Sequence, residues 1–271
     1  MVKKMPASAN FDESLLPLGK MRSILPEAKK AYAEAEPFPH IYFDDFFDDN
    51  VVEKVLKEFP GENDIDWLKY YDGHQKKLAN ENEQNIGLFS RHVLYSLNSS
   101  LFLKFLEELT GITNLISDPS FRGGGLHNIY RGGKLGIHAD FNKHERYGLD
   151  RRLNLLLYLN KEWREEYGGH IELWNREMKQ CVRSYLPKFN RVVIFTTTET
   201  SFHGHPKPLS CPEYMSRKSL ALYYYTNGRP EEVQGDNHST IFKLRPDEKI
   251  EGKLILKTKK FLRRWSNLFN K

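Results

Sequence analysis

Cysteine is nearly absent from this chain. Two residues in 271, Cys181 and Cys211, are too few and too widely spaced for a disulfide framework or a thiolate zinc site. That scarcity points to a reducing compartment, and the expected location is the cytoplasm. Long apolar runs are missing too. Nothing approaches the length that spans a bilayer, and Met1-Val2-Lys3-Lys4 is followed by no continuous hydrophobic stretch, so neither a transmembrane anchor nor a signal peptide is expected. Charge is also close to balance. With 41 Lys and Arg against 36 Asp and Glu, the net +5 falls short of a nucleic-acid-binding footprint. Gly123-Gly124-Gly125 lacks the strand, spacing and helix of a phosphate-binding loop, and no internal repeat is visible.

What is present is enough apolar material for one large core, 39% hydrophobic and 13% aromatic. The division expected is an N-terminal arm and short helix over 1–36, a main domain over 37–230, and a loop with a basic amphipathic tail over 231–271. Ala, Glu and Lys favour a helix from Pro26 to Ala35, and Pro37 and Pro39 then force an extended edge strand at His40-Ile41-Tyr42-Phe43. Val51, Val52, Val55, Leu56 and Phe59, with Asp48, Asp49 or Asn50 as cap, predict an amphipathic helix. Leu101 to Leu109, between Asn98-Ser99-Ser100 and Gly111, predicts another. From about 126 to 226 the apolar period becomes two and short β runs recur between turns, with no helices alternating. The fold class expected is mainly β with flanking helices, a jelly roll or double-stranded β-helix of the cupin-like kind. The tail's Leu254, Ile255, Phe261, Leu262, Trp265, Leu268 and Phe269 lie among basic residues and would pack on the domain or lie on an anionic surface.

Chemistry concentrates in two stretches. In a strand, His138 and Asp140 project to one face while Ile137 and Ala139 face the other. A third ligand from His203 or His205 would complete two imidazoles and a carboxylate, the facial triad that holds non-haem Fe(II) and leaves positions open. His203 and His205 are two apart, so spacing alone does not choose between them. A further strand, Arg217 to Tyr225, sets Arg217, Ser219 and Ala221 on one face. A guanidinium leading into a core is costly unless an anion meets it, so a bound carboxylate is inferred, with Ser219 and Tyr158 as further donors. Arg152, Asn154, His170 and Trp174 are candidates for the pocket mouth.

Together these residues resemble the Fe(II)- and 2-oxoglutarate-dependent dioxygenases, in particular the prolyl 4-hydroxylase-like branch and a bacterial subgroup of unassigned substrate. The carriers are Tyr130, His138-Ala139-Asp140, Tyr158-Leu159-Asn160-Lys161-Glu162-Trp163, Gly168-Gly169, Asn190 to Phe195, Ser201-Phe202-His203 and Arg217-x-Ser219. The resemblance implies His138, Asp140 and His203 as iron ligands, with His205 at a variable position. It gives Arg217 and Tyr158 to the far carboxylate of 2-oxoglutarate, and Tyr130 to the pocket lining. The segment from Lys207 to Ser216 is long for the family. The implied activity is hydroxylation of a C–H, with 2-oxoglutarate converted to succinate and CO2. Fe(II), 2-oxoglutarate and O2 are required, and ascorbate can serve as reductant. The substrate would be a peptidyl or free amino acid, such as proline, or a sugar-containing small molecule; nucleic acid is not expected. Because ligating imidazoles must be neutral, iron affinity should fall as pH drops toward about 6.5. A jelly-roll binding module docking through its basic tail on nucleic acid or membrane is the alternative from another class. A zinc hydrolase ranks last, since no general base stands beside the ligands and Arg217 would have no task.

Overall fold

The structure is a computed structural model that describes residues 15–230 and 236–248. The first fourteen residues of the expected arm and the basic tail from Lys249 onward lie outside the described residues.

The helices α1 (Leu18–Ala33), α2 (Asp49–Glu58), α3 (Leu88–Leu97) and α4 (Ser100–Thr110) all contribute to the main core. Local chemistry fixes two of them as the sequence suggests. The Asp48 carboxylate accepts the Asn50 amide at 2.8 Å to start α2, and α4 runs from Ser99 to a left-handed Gly111. The other two differ from expectation. α1 begins at Leu18 and carries Pro26 inside it, on its exposed side, because Met21, Ala28 and Tyr32 bury one stripe against the rest of the core. α3 has no capping side chain of its own; the Glu58 carboxylate, at the end of α2, accepts the amides of Phe89 and Ser90.

Among the described residues, thirteen strands make one antiparallel sheet that curls on itself. Its continuous path runs β1 (His40–Phe43), β10 (Val192–Thr196), β7 (Asp150–Tyr158), β12 (Ser216–Thr226), β5 (Gly125–Tyr130), β3 (Gln75–Asn80), β6 (Lys134–Ala139), β11 (His203–His205), β8 (Ile171–Trp174) and β9 (Cys181–Tyr185). β2 (Leu68–Tyr71) forms a hairpin with β3, β4 (Ile116–Ser117) pairs with β12, and β13 (Ile241–Phe242) pairs with β6. The architecture is mainly β with flanking helices, the expected jelly roll.

Alternation sorts the central strands cleanly. Leu153, Leu155 and Leu157 of β7 and Leu220, Leu222 and Tyr224 of β12 pack with the helices in the largest core cluster. Asn154, Tyr158, Arg217, Ser219 and Tyr223 take the opposite, concave face. α1, before residue 37, and β13, after residue 230, both join the packing of the main domain. Tyr32 of α1 is 1% exposed in the main core and meets Thr196 through its hydroxyl, and β13 closes over the strand that carries His138.

Candidate active site

β6 and β11 are neighbours, and His138 faces His203 directly across the ladder. Two sequence-distant histidines therefore become a cross-strand pair, with ring centroids 4.5 Å apart. The close approach depends on Gly204, since a Cβ there would sit 2.6 Å from the Gly136 carbonyl oxygen and 2.8 Å from that of Leu135. Asp140 follows the end of β6 and completes the group. One donor atom from each of His138, Asp140 and His203 lies within 4.8 Å of the others. Asp140 Oδ1 stands 3.5 Å from His138 Nε2, and its Oδ2 stands 3.4 Å from His203 Nε2. Octahedral ligands at about 2.1 Å from an ion lie about 3 Å apart, so this spacing suits one small cation.

The tautomers suit it as well. His138 Nδ1 is 2.9 Å from the Gly136 carbonyl and His203 Nδ1 is 2.9 Å from that of Ser201. A carbonyl can only accept, so each Nδ1 carries the proton and each Nε2 lone pair is left facing Asp140. Burial, against the opposing Asp140 charge, lowers the His203 pKa to about 4. Protons therefore compete for this imidazole well below the value near 6.5 expected from the sequence. At Asp140, burial would raise the carboxyl, but the Arg151 guanidinium and both imidazoles outweigh it and hold the group well below the usual carboxylate range.

Behind the carboxylate stands a support that sequence reading missed in part. Asn154 Nδ2 donates to Asp140 Oδ2 at 2.7 Å, and Arg151 Nη2 lies 3.1 Å from the same oxygen. Arg151 is 1% exposed, also donates to Asn154 Oδ1, and is held between the rings of Tyr223 and Phe141, 3.4 and 4.4 Å from their centroids. Of the four residues suggested for the mouth, Asn154 alone is here. Arg152 turns to Thr226, His170 pairs with exposed Glu165, and the Trp174 indole donates to Glu172.

Arg217 is 5% exposed on the concave face of β12. Its Nε donates to the Gly169 carbonyl at 2.7 Å and its Nη2 to the Tyr158 hydroxyl at 3.1 Å, but no carboxylate pairs with it among the described residues. Gly169, at φ +75°, leaves room for it, as a Cβ there would lie 2.7 Å from Leu209 and 3.0 Å from Arg217 Cδ. Ser219, 1% exposed, registers between Tyr158 and His127. Tyr130 departs from expectation. Alternation along β5 turns it to the helix side, where it packs against the main core and accepts a hydrogen bond from Asn128, so it is not among the groups around Arg217. Desolvation, with Arg217 nearby, holds the buried His205 well below the usual histidine range, and neither of its ring nitrogens has a hydrogen-bond partner among the described residues.

The cleft that His138 and Asp140 line has a volume of about 570 Å³. Its roof comes from two elements that the sequence did not reveal. The turn of the β2–β3 hairpin and β13 meet where His74 and Phe242 stack at 4.7 Å, and Phe242 lies 5.5 Å from His138. Lys77 projects from β3 into this space; burial brings its pKa down to about 8, Asp140 opposes the shift, and Arg151 and Arg217 add to it.

The jelly roll thus brings two imidazoles and one carboxylate together and buries on its concave face a guanidinium that pairs with no carboxylate among the described residues. Residues 124–225 match the 2OG-Fe(II) oxygenase superfamily, and the chain carries a domain of that family. The relatives include the prolyl 3-hydroxylase OGFOD1 of Mus musculus, 34% identical over 79 residues, which are 28% of this chain and 14% of that protein. OGFOD1 of Xenopus laevis is 29% identical over 219 residues, 77% of this chain and 39% of that protein. The chain thus spans well under half the length of these curated relatives. Among solved structures, prolyl 4-hydroxylases from Phytophthora capsici align at a TM-score of 0.53, with 19% identity over 87% of this chain and 74% of that one. A prolyl hydroxylase from Trichoplax adhaerens, in complex with a hypoxia inducible factor peptide fragment, aligns at 0.50 with 18% identity over 77% of this chain and 91% of that one. These likenesses show the shared fold.

Proposed function

We propose that the chain is an Fe(II)- and 2-oxoglutarate-dependent dioxygenase that hydroxylates a C–H of its substrate. The observation that carries this is the pair of imidazoles whose Nδ1 protons are committed to backbone carbonyls, which leaves both Nε2 lone pairs and a supported carboxylate around one point. The bound metal would supply the activation of O2, so that substrate, O2 and 2-oxoglutarate give hydroxylated substrate, succinate and CO2. The protein's own part is to hold and orient. His138, Asp140 and His203 are the proposed ligands, and Asn154 and Arg151 fix the carboxylate between them. Arg217 and Tyr158 receive the far carboxylate of 2-oxoglutarate, with Ser219 alongside.

OGFOD1's designation as a prolyl 3-hydroxylase supports a prolyl or related amino-acid substrate. No helix among the described residues is long and apolar enough to cross a membrane. Both cysteines are free, which fits the reducing, cytoplasmic setting of this reading. A binding module without catalysis would have no use for a complete donor set and an anion-seeking arginine. The test is iron-dependent release of succinate from 2-oxoglutarate. Wild-type chain should release it and Asp140→Ala should not; normal release by that variant would contradict the assignment.

A further inference from the structure

The dioxygenase reading assigns the two carboxylates of 2-oxoglutarate, one to the metal and one to Arg217, and on that reading one cation in the cleft remains unmatched among the described residues. Lys77 lines the cleft beside Asp140 and His138, yet it has no hydrogen bond or ion pair with a described residue. Its near neighbour is the Tyr70 ring, 5.1 Å from Nζ to the centroid. Every other cation along this wall is engaged. Arg122 pairs with Glu81 and Glu145, Lys143 with Asp150, and Arg151 with Asp140. The Asp140 carboxylate is in turn held by Asn154 and Arg151, so among the described residues Lys77 has no counter-charge of its own. Holding a partly desolvated ammonium in this way costs free energy unless an anion arrives with a ligand.

The position of Lys77 indicates which ligand. Arg217 and Tyr158 do not line this cleft; they sit on the concave face, bonded to each other and to Gly169. Lys77 instead shares its space with Phe141, Tyr223 and Phe242, in the cleft lined by His138 and Asp140 through which, on the dioxygenase reading, the substrate enters. Its strand and Phe242 both lie outside residues 124–225, in parts of the chain that the shared family core does not include. We infer that Lys77 pairs with an acidic group, a carboxylate or a phosphate, on the primary substrate, whose apolar part lies among those aromatic walls.

The test uses the full chain loaded with Mn(II) and 2-oxoglutarate, with inorganic phosphate as probe and ³¹P relaxation as readout, since a paramagnetic ion relaxes only nuclei close to it. Wild-type and Lys77→Arg chains should enhance phosphate relaxation, and Lys77→Met should weaken phosphate binding about tenfold, as expected for a lost charge-assisted contact. Affinity for 2-oxoglutarate should not change between them. Equal relaxation in wild type and Lys77→Met would overturn the inference, as would a Lys77→Met defect confined to 2-oxoglutarate. Mn(II) binding, followed separately by the loss of its free-ion resonance signal, reports on the underlying reading. If wild-type chain fails to take up Mn(II), both fall; if it binds Mn(II) with no Lys77-dependent effect, this inference falls alone.

Discussion

At the scale of single residues, the site depends on how each polar group is committed before any ligand arrives. Two Nδ1 protons are spent on carbonyls, and one carboxylate is pinned by Asn154 and Arg151. Replacing a group that orients a metal ligand costs 10- to 100-fold in metal affinity as a rule. Arg151→Met, which keeps much of the side chain's bulk between Tyr223 and Phe141, should therefore weaken Mn(II) binding by about that factor; unchanged affinity would mean the guanidinium only fills space. Arg217→Met should leave Mn(II) affinity intact and raise the dissociation constant for 2-oxoglutarate at least about tenfold, measured by calorimetry on the Mn(II)-loaded chain. That His138 and Asp140 share a face, and Arg217 and Ser219 another, was legible in the sequence because strands alternate faces, whereas the choice of His203 over His205 came from family likeness alone. Tyr130 was misplaced although the same rule governs it. Its assignment came from family likeness, while alternation with His127 puts it on the helix side.

Elements explain what the residues alone did not reveal. The sequence reading began β7 at Arg152, whereas the strand starts at Asp150 and its pairing with β12 shifts register, with Tyr224 opposite Leu153 but Tyr225 opposite Arg151. The bulge leaves Arg152 unpaired toward Thr226 and turns Arg151 inward onto Asp140, a reversal that uninterrupted alternation forbids. β11 was equally hard to see, since three residues between turns carry no periodic signal. Its contribution rests on a backbone contact at Gly204. Gly204→Ala would drive a Cβ into two carbonyl oxygens of β6 and part the two strands that present His203 and His138. This variant should lose thermal stability and most of its Mn(II) affinity together; wild-type metal binding would show that the ladder has slack. The α3 helix escaped prediction for another reason, as its amides are capped by Glu58 from a different helix.

For the whole molecule, curling the sheet buries imidazoles as well as leucines. Desolvation, with Lys77 nearby, lowers the His127 pKa to about 3, and that of His203 falls to about 4. In an unfolded chain both would titrate near 6.5. As pH falls below that value the unfolded chain takes up protons that the folded chain refuses, so stability declines by up to about 1.4 kcal/mol per pH unit for each group until its folded pKa is reached. Thermal unfolding of the metal-free chain should show a falling Tm from pH 7 to pH 4, with a shallower fall in His127→Asn. A Tm that holds or rises over that range would contradict the burial described. The roof of the cleft is likewise a whole-chain property, since the β2–β3 hairpin and β13 come from opposite ends of the sequence. The account as a whole turns on one donor set receiving one ion and one keto diacid. Its most direct test is anaerobic addition of Fe(II) and 2-oxoglutarate to the full chain, followed by the visible charge-transfer absorption that appears when a keto acid chelates ferrous iron. Wild-type chain should develop the band, Arg217→Met should need more 2-oxoglutarate to do so, and Asp140→Ala and His203→Ala should not develop it; a band of wild-type strength in the last two variants would contradict the account.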